Sequence, residues 1–336
     1  MGYCRHRLTG ALAAVILAAL PAMAQTASSK GAGNVPRTPD GHPDLEGIWS
    51  NAVSVPLERP KDLGAKEFLT DEDIAAGRTV KGRAKEGADT RFCVGCAQAG
   101  TPEEVHYDSS QYGLDRDQAH IAPTRRTSLI TGPDGRVPPL LPEAKARAAQ
   151  LTAKNAKHEF DGPENRPLSE RCILMNQEVV PMLPGGYNNN LEIVQGDGYV
   201  TIMTEMNHSV RVIPTDGGPH APAAIRQWRG DSRGHWEGDV LVVDVTNFTD
   251  RNPFRGSSDR LHVVERFSAI NRDTIRYQFT VEDPTTWDKP WSAELDMPRV
   301  KGPIYEFACN EGNLGMADTL SGARHAEEIA AKKESH

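Results

Sequence analysis

No stretch of this 336-residue sequence is apolar for long enough to cross a bilayer as a helix. The best candidate, Leu8 to Leu20, falls well short of the roughly 18 to 20 residues such a span needs, so no stable membrane anchor is expected. Positive charge is also scarce. The 38 Lys and Arg residues face 46 Asp and Glu, a formal charge of −8, whereas nucleic acid and anionic membrane surfaces call for clustered cations. No nucleic-acid partner is expected. Aromatic residues make up only 6% of the chain, while Gly and Pro number 30 and 24; such a composition favours short elements joined by many turns.

Familiar catalytic signatures are missing as well. There is no Gly-x-Ser-x-Gly elbow, no Gly-Lys-Ser/Thr phosphate loop and no dinucleotide glycine fingerprint after a strand, so serine-esterase and nucleotide-dependent chemistry are disfavoured and no cofactor is expected. His106, His220 and His235 lack the spacing of a metal site, and no His-Glu-x-x-His occurs, so no bound metal is expected either. Cys93-Val-Gly-Cys96 has neither the second half of a zinc site nor the following histidine of a haem attachment motif.

What is present begins at the N-terminus. Arg5 and Arg7 precede the apolar run Leu8 to Leu20, and Ala22-Met23-Ala24 supplies the small-large-small pattern cut before Gln25. Residues 1–24 therefore read as a signal peptide, and the mature protein is expected to be secreted or periplasmic. Removing them leaves Cys93, Cys96, Cys172 and Cys309. An even number in an oxidising compartment predicts two disulfides. Cys172 with Cys309 would tie the entry of the strand-rich region to its exit, a long loop whose closure restrains the unfolded chain strongly; Cys93 with Cys96 would be the second pair.

Residues 25–185 read as irregular and partly helical. Pro36, Pro39, Pro43, Pro56 and Pro60 prevent long helices. Leu45 to Trp49 begins a strand, and Thr70 with Asp73 forms a capping box that predicts a helix from Asp71 to about Arg83. Thr127 to Ile130 reads as a short strand, and Pro142 opens a helix reaching about Lys157. From residue 186 to 316 strand follows strand: Leu191–Gln195, Tyr199–Glu205, Val210–Thr215, Ile225–Trp228, Gly234–Glu237, Val240–Phe248, Leu261–Phe267, Thr274–Glu282, Trp291–Met297 and Ile304–Cys309. Ile275, Tyr277, Phe279 and Val281 alternate with polar neighbours, as expected of a strand with one buried face. The expected fold is mainly β, an antiparallel up-and-down barrel of calycin or lipocalin type, with a β-sandwich as the alternative. Residues 317–336 form a polar helix or tail.

Successive strands of a meander reverse direction, so alternate connections gather at one end. That end, called end A, is expected to collect His208, Asp250, Arg251, Arg255, His262, Asp283, Trp287, Glu311 and Asn313, and long polar connections on one rim are where a ligand mouth is expected. His208 and His262 are the acid and base candidates. Arg255 is the anion stabiliser and Glu311 the orienting carboxylate; Asn247, Asp250, Trp287 and Asn313 are the substrate-binding candidates. Glu265 follows His262 by three positions, which in a strand puts the two on opposite faces.

Several strings resemble a large group of secreted bacterial proteins of uncharacterised activity. They are Pro43-Asp44-Leu45-Glu46-Gly47-Ile48-Trp49, Arg126-Thr127-Ser128-Leu129-Ile130, Glu170-Arg171-Cys172, Tyr187-Asn188-Asn189-Asn190, Gly234-His235-Trp236-Glu237-Gly238-Asp239 and Leu261-His262-Val263-Val264-Glu265-Arg266-Phe267. The resemblance runs from about Pro36 to Arg324 and implies no catalytic assignment. Asn310 stands where the group carries histidine, and Cys93 to His106 departs from its pattern. The function expected from the residues is an enzyme that acts on a small organic molecule by His/carboxylate chemistry, as a lyase, isomerase or hydrolase. The alternative is a non-catalytic protein that captures a small hydrophobic ligand.

Overall fold

The structure is a computed structural model that describes residues 35–76, 121–185 and 187–334. The signal-peptide reading, Cys93, Cys96 and His106 lie outside these residues. Among the described residues, nine strands form two antiparallel sheets. The first has the order β1 (Gly47–Ser50), β2 (Asn190–Gly196), β3 (Tyr199–Thr204) and β4 (Val210–Pro214). The second follows chain order through β5 (Asp231–Glu237), β6 (Val240–Thr246), β7 (His262–Asn271), β8 (Thr274–Glu282) and β9 (Trp291–Pro298). The α-helices among the described residues are α1 (Asp71–Ala75), α2 (Pro142–His158) and α3 (Gly315–Glu334).

Period-2 patterning places the core between the sheets. Leu191 and Ile193, Val200 and Ile202, and Ile213 bury one face of the first sheet. Leu241, Val243 and Val245, Val263 and Phe267, the β8 residues Ile275, Tyr277, Phe279 and Val281, and Ala293, Leu295 and Met297 bury one face of the second. All of these belong to one hydrophobic cluster, and the inward faces also carry buried Arg211 and Glu265. The cluster takes in Leu45, Trp49, Val53, Val55, Leu129, Ile130, Val180 and Met182 as well, so the core does not divide at residue 186. Trp49 is buried within it, and the Arg299 guanidinium lies 4.1 Å over its ring.

The closed barrel expected from the sequence is not found. Two seams interrupt the ladder. At one, β9 meets β1 through a single bridge, Trp49 with Arg299, and one bond from Val300 N–H to the Ile48 carbonyl, 2.8 Å. At the other, no ladder joins β4 to β5, although Arg229 donates to the Val210 carbonyl at 2.9 Å and Arg233 faces Asp216 at 3.5 Å.

Local departures have local causes. Thr127–Ile130 is not a strand and is bridged only at Ile130, to Ala293, because fully buried Arg59 gathers Thr127 Oγ1 and the Gly132 and Pro133 carbonyls and so bends the segment around its guanidinium. Ile225–Trp228 and Ile304–Cys309 are likewise not strands. Residues 215–230 nevertheless carry the chain from one end of the sheets back to the other, so the alternation of ends is kept. The Thr70/Asp73 capping box is present, and α2 starts at Pro142 as the sequence predicts. Cys172 and Cys309 form a disulfide with Cα atoms 5.6 Å apart. No helix among the described residues is long and apolar enough to cross a membrane.

Candidate functional site

On the outer face of the second sheet, one carboxylate is shared by two imidazoles. Asp244 has outward parity on β6, between buried Val243 and Val245, and His262 opens β7 with the same parity. His262 Nε2 lies 2.8 Å from Asp244 Oδ2. Residues 215–230 pass over this face and place His220 Nε2 at 2.8 Å from Asp244 Oδ1 and its Nδ1 at 2.7 Å from Asp231 Oδ2. His262 Nδ1 looks toward Glu282 at 3.9 Å. The result is an alternating series, Asp231, His220, Asp244, His262, Glu282, across β5 to β8. The hydrogen bond to Asp244 raises the His262 pKa above its ordinary 6.5, against the opposing effect of burial. The same bond holds Asp244 below the usual carboxylate range. His262 and Asp244 keep 35% and 37% of their side-chain surface, so solvent can reach them.

The inner face of the same strands carries a second cluster. Glu265 is fully buried and accepts from Arg211 Nη1 at 2.8 Å, from Arg211 Nη2 at 3.3 Å and from the Tyr277 hydroxyl at 2.7 Å. Tyr277 in turn accepts the Met182 N–H at 3.0 Å. Burial first, and the adjacent Glu265 charge second, push the Tyr277 pKa well above 10. Glu265 and Tyr277 meet their partners within the core, and the Arg211–Glu265 pair, with Arg211 on β4 and Glu265 on β7, binds the two sheets together.

End A holds the connections at 205–209, 247–261 and 283–290. Six non-glycine residues among those described have positive φ, and Asn188, Asn207, His208, Asn247 and Arg255 all sit at this end, whereas turns at the other end use Gly198 and Gly238. Holding side-chain-bearing residues there costs about 1 kcal/mol or more apiece and is common at functional sites. Asp283 staples the rim. Burial would raise its pKa, but hydrogen bonds from the Ser258 N–H, the Thr286 and Thr285 hydroxyls and the Thr285 N–H outweigh it and lower the value.

The sequence-predicted residues are distributed, not gathered. His262 belongs to the outer cluster. His208 Nε2 instead meets the Tyr305 carbonyl at 3.0 Å. Arg255 pairs with Glu58 at 3.2 Å and shares a cleft of about 420 Å³ with Trp287, Val137, Pro138 and Leu140. Asn247 is buried and donates to the Ala221 carbonyl, fixing the segment that carries His220. Asn313 donates to the Glu170 carbonyl beside the disulfide, and Asp250 and Glu311 are exposed on their connections. The expectation of one mouth holding His208, His262, Arg255 and Glu311 is therefore replaced by a histidine cluster outside the sheet and a separate cleft.

Sequence reasoning missed Asp244, Asp231 and Glu282 as partners, and treated His220 only as a metal candidate. Asp244 did carry a signal, being the lone charge inside the apolar run Val240 to Phe248. Glu265 carried another, standing at buried parity between Val263 and Phe267. Nothing local could have announced His220, whose partners are 11 and 24 residues away. No group of three or more His, Cys, Asp or Glu side chains placed so that it could hold a metal ion is found among the described residues.

Comparison with known proteins adds little. No protein-family model matches the chain. No curated protein matches it. Among solved structures it is similar to that of a mutant of the fluorescent protein UnaG, at 13% identity and a TM-score of 0.22 over 40% of this chain and 86% of that one, a likeness too slight to carry an argument about fold or function.

Proposed function

We propose that the chain is a secreted or periplasmic enzyme acting on a small organic molecule by histidine and carboxylate acid–base chemistry, of lyase, isomerase or hydrolase type and without a nucleotide cofactor. One observation carries this reading: His220 and His262 both bond to Asp244 at 2.8 Å on a half-exposed face. Asp244 occupies His262 Nε2, which leaves Nδ1, 3.9 Å from Glu282, as the ring atom to meet a substrate. A histidine held protonated toward neutral pH is suited to donating a proton. His262 is thus the general acid and Asp244 its orienting carboxylate, while His220, with both ring nitrogens bonded to carboxylates, braces Asp244 from the other side. The export assignment rests on the leader, with which the Cys172–Cys309 disulfide is compatible. The two sheets are read as an open up-and-down barrel of calycin type, since both seams bring neighbouring strands side by side.

The test is turnover. A small-molecule mixture incubated with wild-type protein and followed by NMR should reveal a consumed compound. His262→Gln should then lower the rate ~100-fold or more while circular dichroism stays unchanged. A folded H262Q variant with wild-type turnover, or no consumption by the wild type, would reject the reading. The non-catalytic alternative finds its support in the Arg255 cleft.

A further inference from the structure

We propose that the cleft between Arg255 and Leu140 binds a small carboxylate carried on an apolar body. Its volume of about 420 Å³ falls within the range of small-molecule sites. Val137, Pro138, Leu140 and the Trp287 ring supply apolar walls, and the mouth carries Arg255 and Glu58. Charge decides the ligand's sign. Glu58 is shared by two guanidinium groups, Arg255 at 3.2 Å within the cleft and Arg136 at 3.7 Å outside its lining, so Glu58 keeps a cation when Arg255 turns to a ligand anion.

Both contacts are long for charge-assisted bonds, and Arg255 keeps 41% of its side-chain surface. A ligand carboxylate can take Arg255 in the bidentate geometry that guanidinium prefers, leaving Arg136 to Glu58. The backbone presents Arg255 for this role. It sits at φ 52° and ψ 33°, between Phe254 and a Gly256 whose carbonyl accepts from Arg147 of α2 at 3.0 Å.

No residue of this cleft belongs to the Asp244 cluster, so the two proposals fail separately. Isothermal titration of the purified protein with phenylacetate and with neutral phenylacetamide tests the charge requirement. The acid should bind at least tenfold more tightly than the amide. Arg255→Asn, a residue that tolerates the left-handed backbone, should abolish that preference without lowering the melting temperature. Glu58→Gln removes the competing carboxylate and should tighten phenylacetate. His262→Gln should leave both affinities unchanged. Equal affinity for acid and amide, absence of binding by both, or a folded R255N protein that still prefers the acid would each overturn the proposal. If R255N does not fold, an E58Q affinity no tighter than wild type overturns it.

Discussion

Glu265 and Asp244 sit on neighbouring strands of one sheet, one facing in and the other facing out, and their surroundings are opposites. Glu265 has no exposed surface and is enclosed by Arg211 and Tyr277, whereas Asp244 keeps more than a third of its surface and holds two imidazoles. A carboxylate taken wholly out of water must be paired, and its partners are the Arg211 guanidinium and a Tyr277 phenol whose pKa is pushed well above 10. The outer carboxylate holds two imidazoles, and its bond to one of them raises the His262 pKa above 6.5. The same kind of group is therefore structural on one face and suited to proton transfer on the other.

The sharpest way to break this contrast is to remove one inner partner. Glu265→Gln leaves Arg211 charged and buried without its counter-ion and should destabilise the fold by about 3–5 kcal/mol in urea denaturation. Replacing both members, with Glu265→Leu and Arg211→Met, should recover most of that loss, because an apolar pair of similar volume has no charge to desolvate. An E265Q loss no larger than that of Asp244→Asn would erase the distinction between the faces. Tyr277→Phe probes the next link. It strands the Met182 N–H and removes one donor to Glu265, so the expected loss is about 1–3 kcal/mol, and a neutral effect would show that the hydroxyl is dispensable.

The two faces were also unequally legible in the sequence. Alternation along Thr274 to Glu282 marked the inward row of β8, and the same rule separated His262 from Glu265 from sequence alone. Turn residues located the short connections. What alternation cannot convey is how sheets meet: strand runs are compatible with a closed ladder, while closure depends on inter-strand bonds that are absent at the β4–β5 seam and reduced to one bridge at β9–β1. It also overcounted strands at 225–228 and 304–309, where apolar residues without a ladder partner remain irregular. The pairing of Cys172 with Cys309 followed from their positions on either side of the strand region. His220 joined Asp244 only through the path of a long connection, a tertiary event with no local code.

The smallest effect is the most discriminating for the outer face, because it has a sign. His262 is raised above 6.5 in the folded protein, so its bond to Asp244 stabilises fully below that value and is lost as pH rises through the higher folded pKa. Asp244 is lowered below 3.8, so its share is present above about pH 4 and disappears as pH falls through the lower folded pKa. The contribution is thus greatest between roughly pH 4 and 6.5 and declines on either side. Solvent screening at these exposures keeps it to about 1 kcal/mol or less. Urea midpoints of wild type and H262Q should differ more at pH 5.5 than at pH 8.5, and Asp244→Asn should remove that dependence. A gap that widened toward alkaline pH would mean that His262 is stabilised as neutral imidazole, which would reverse its assignment from proton donor to proton acceptor.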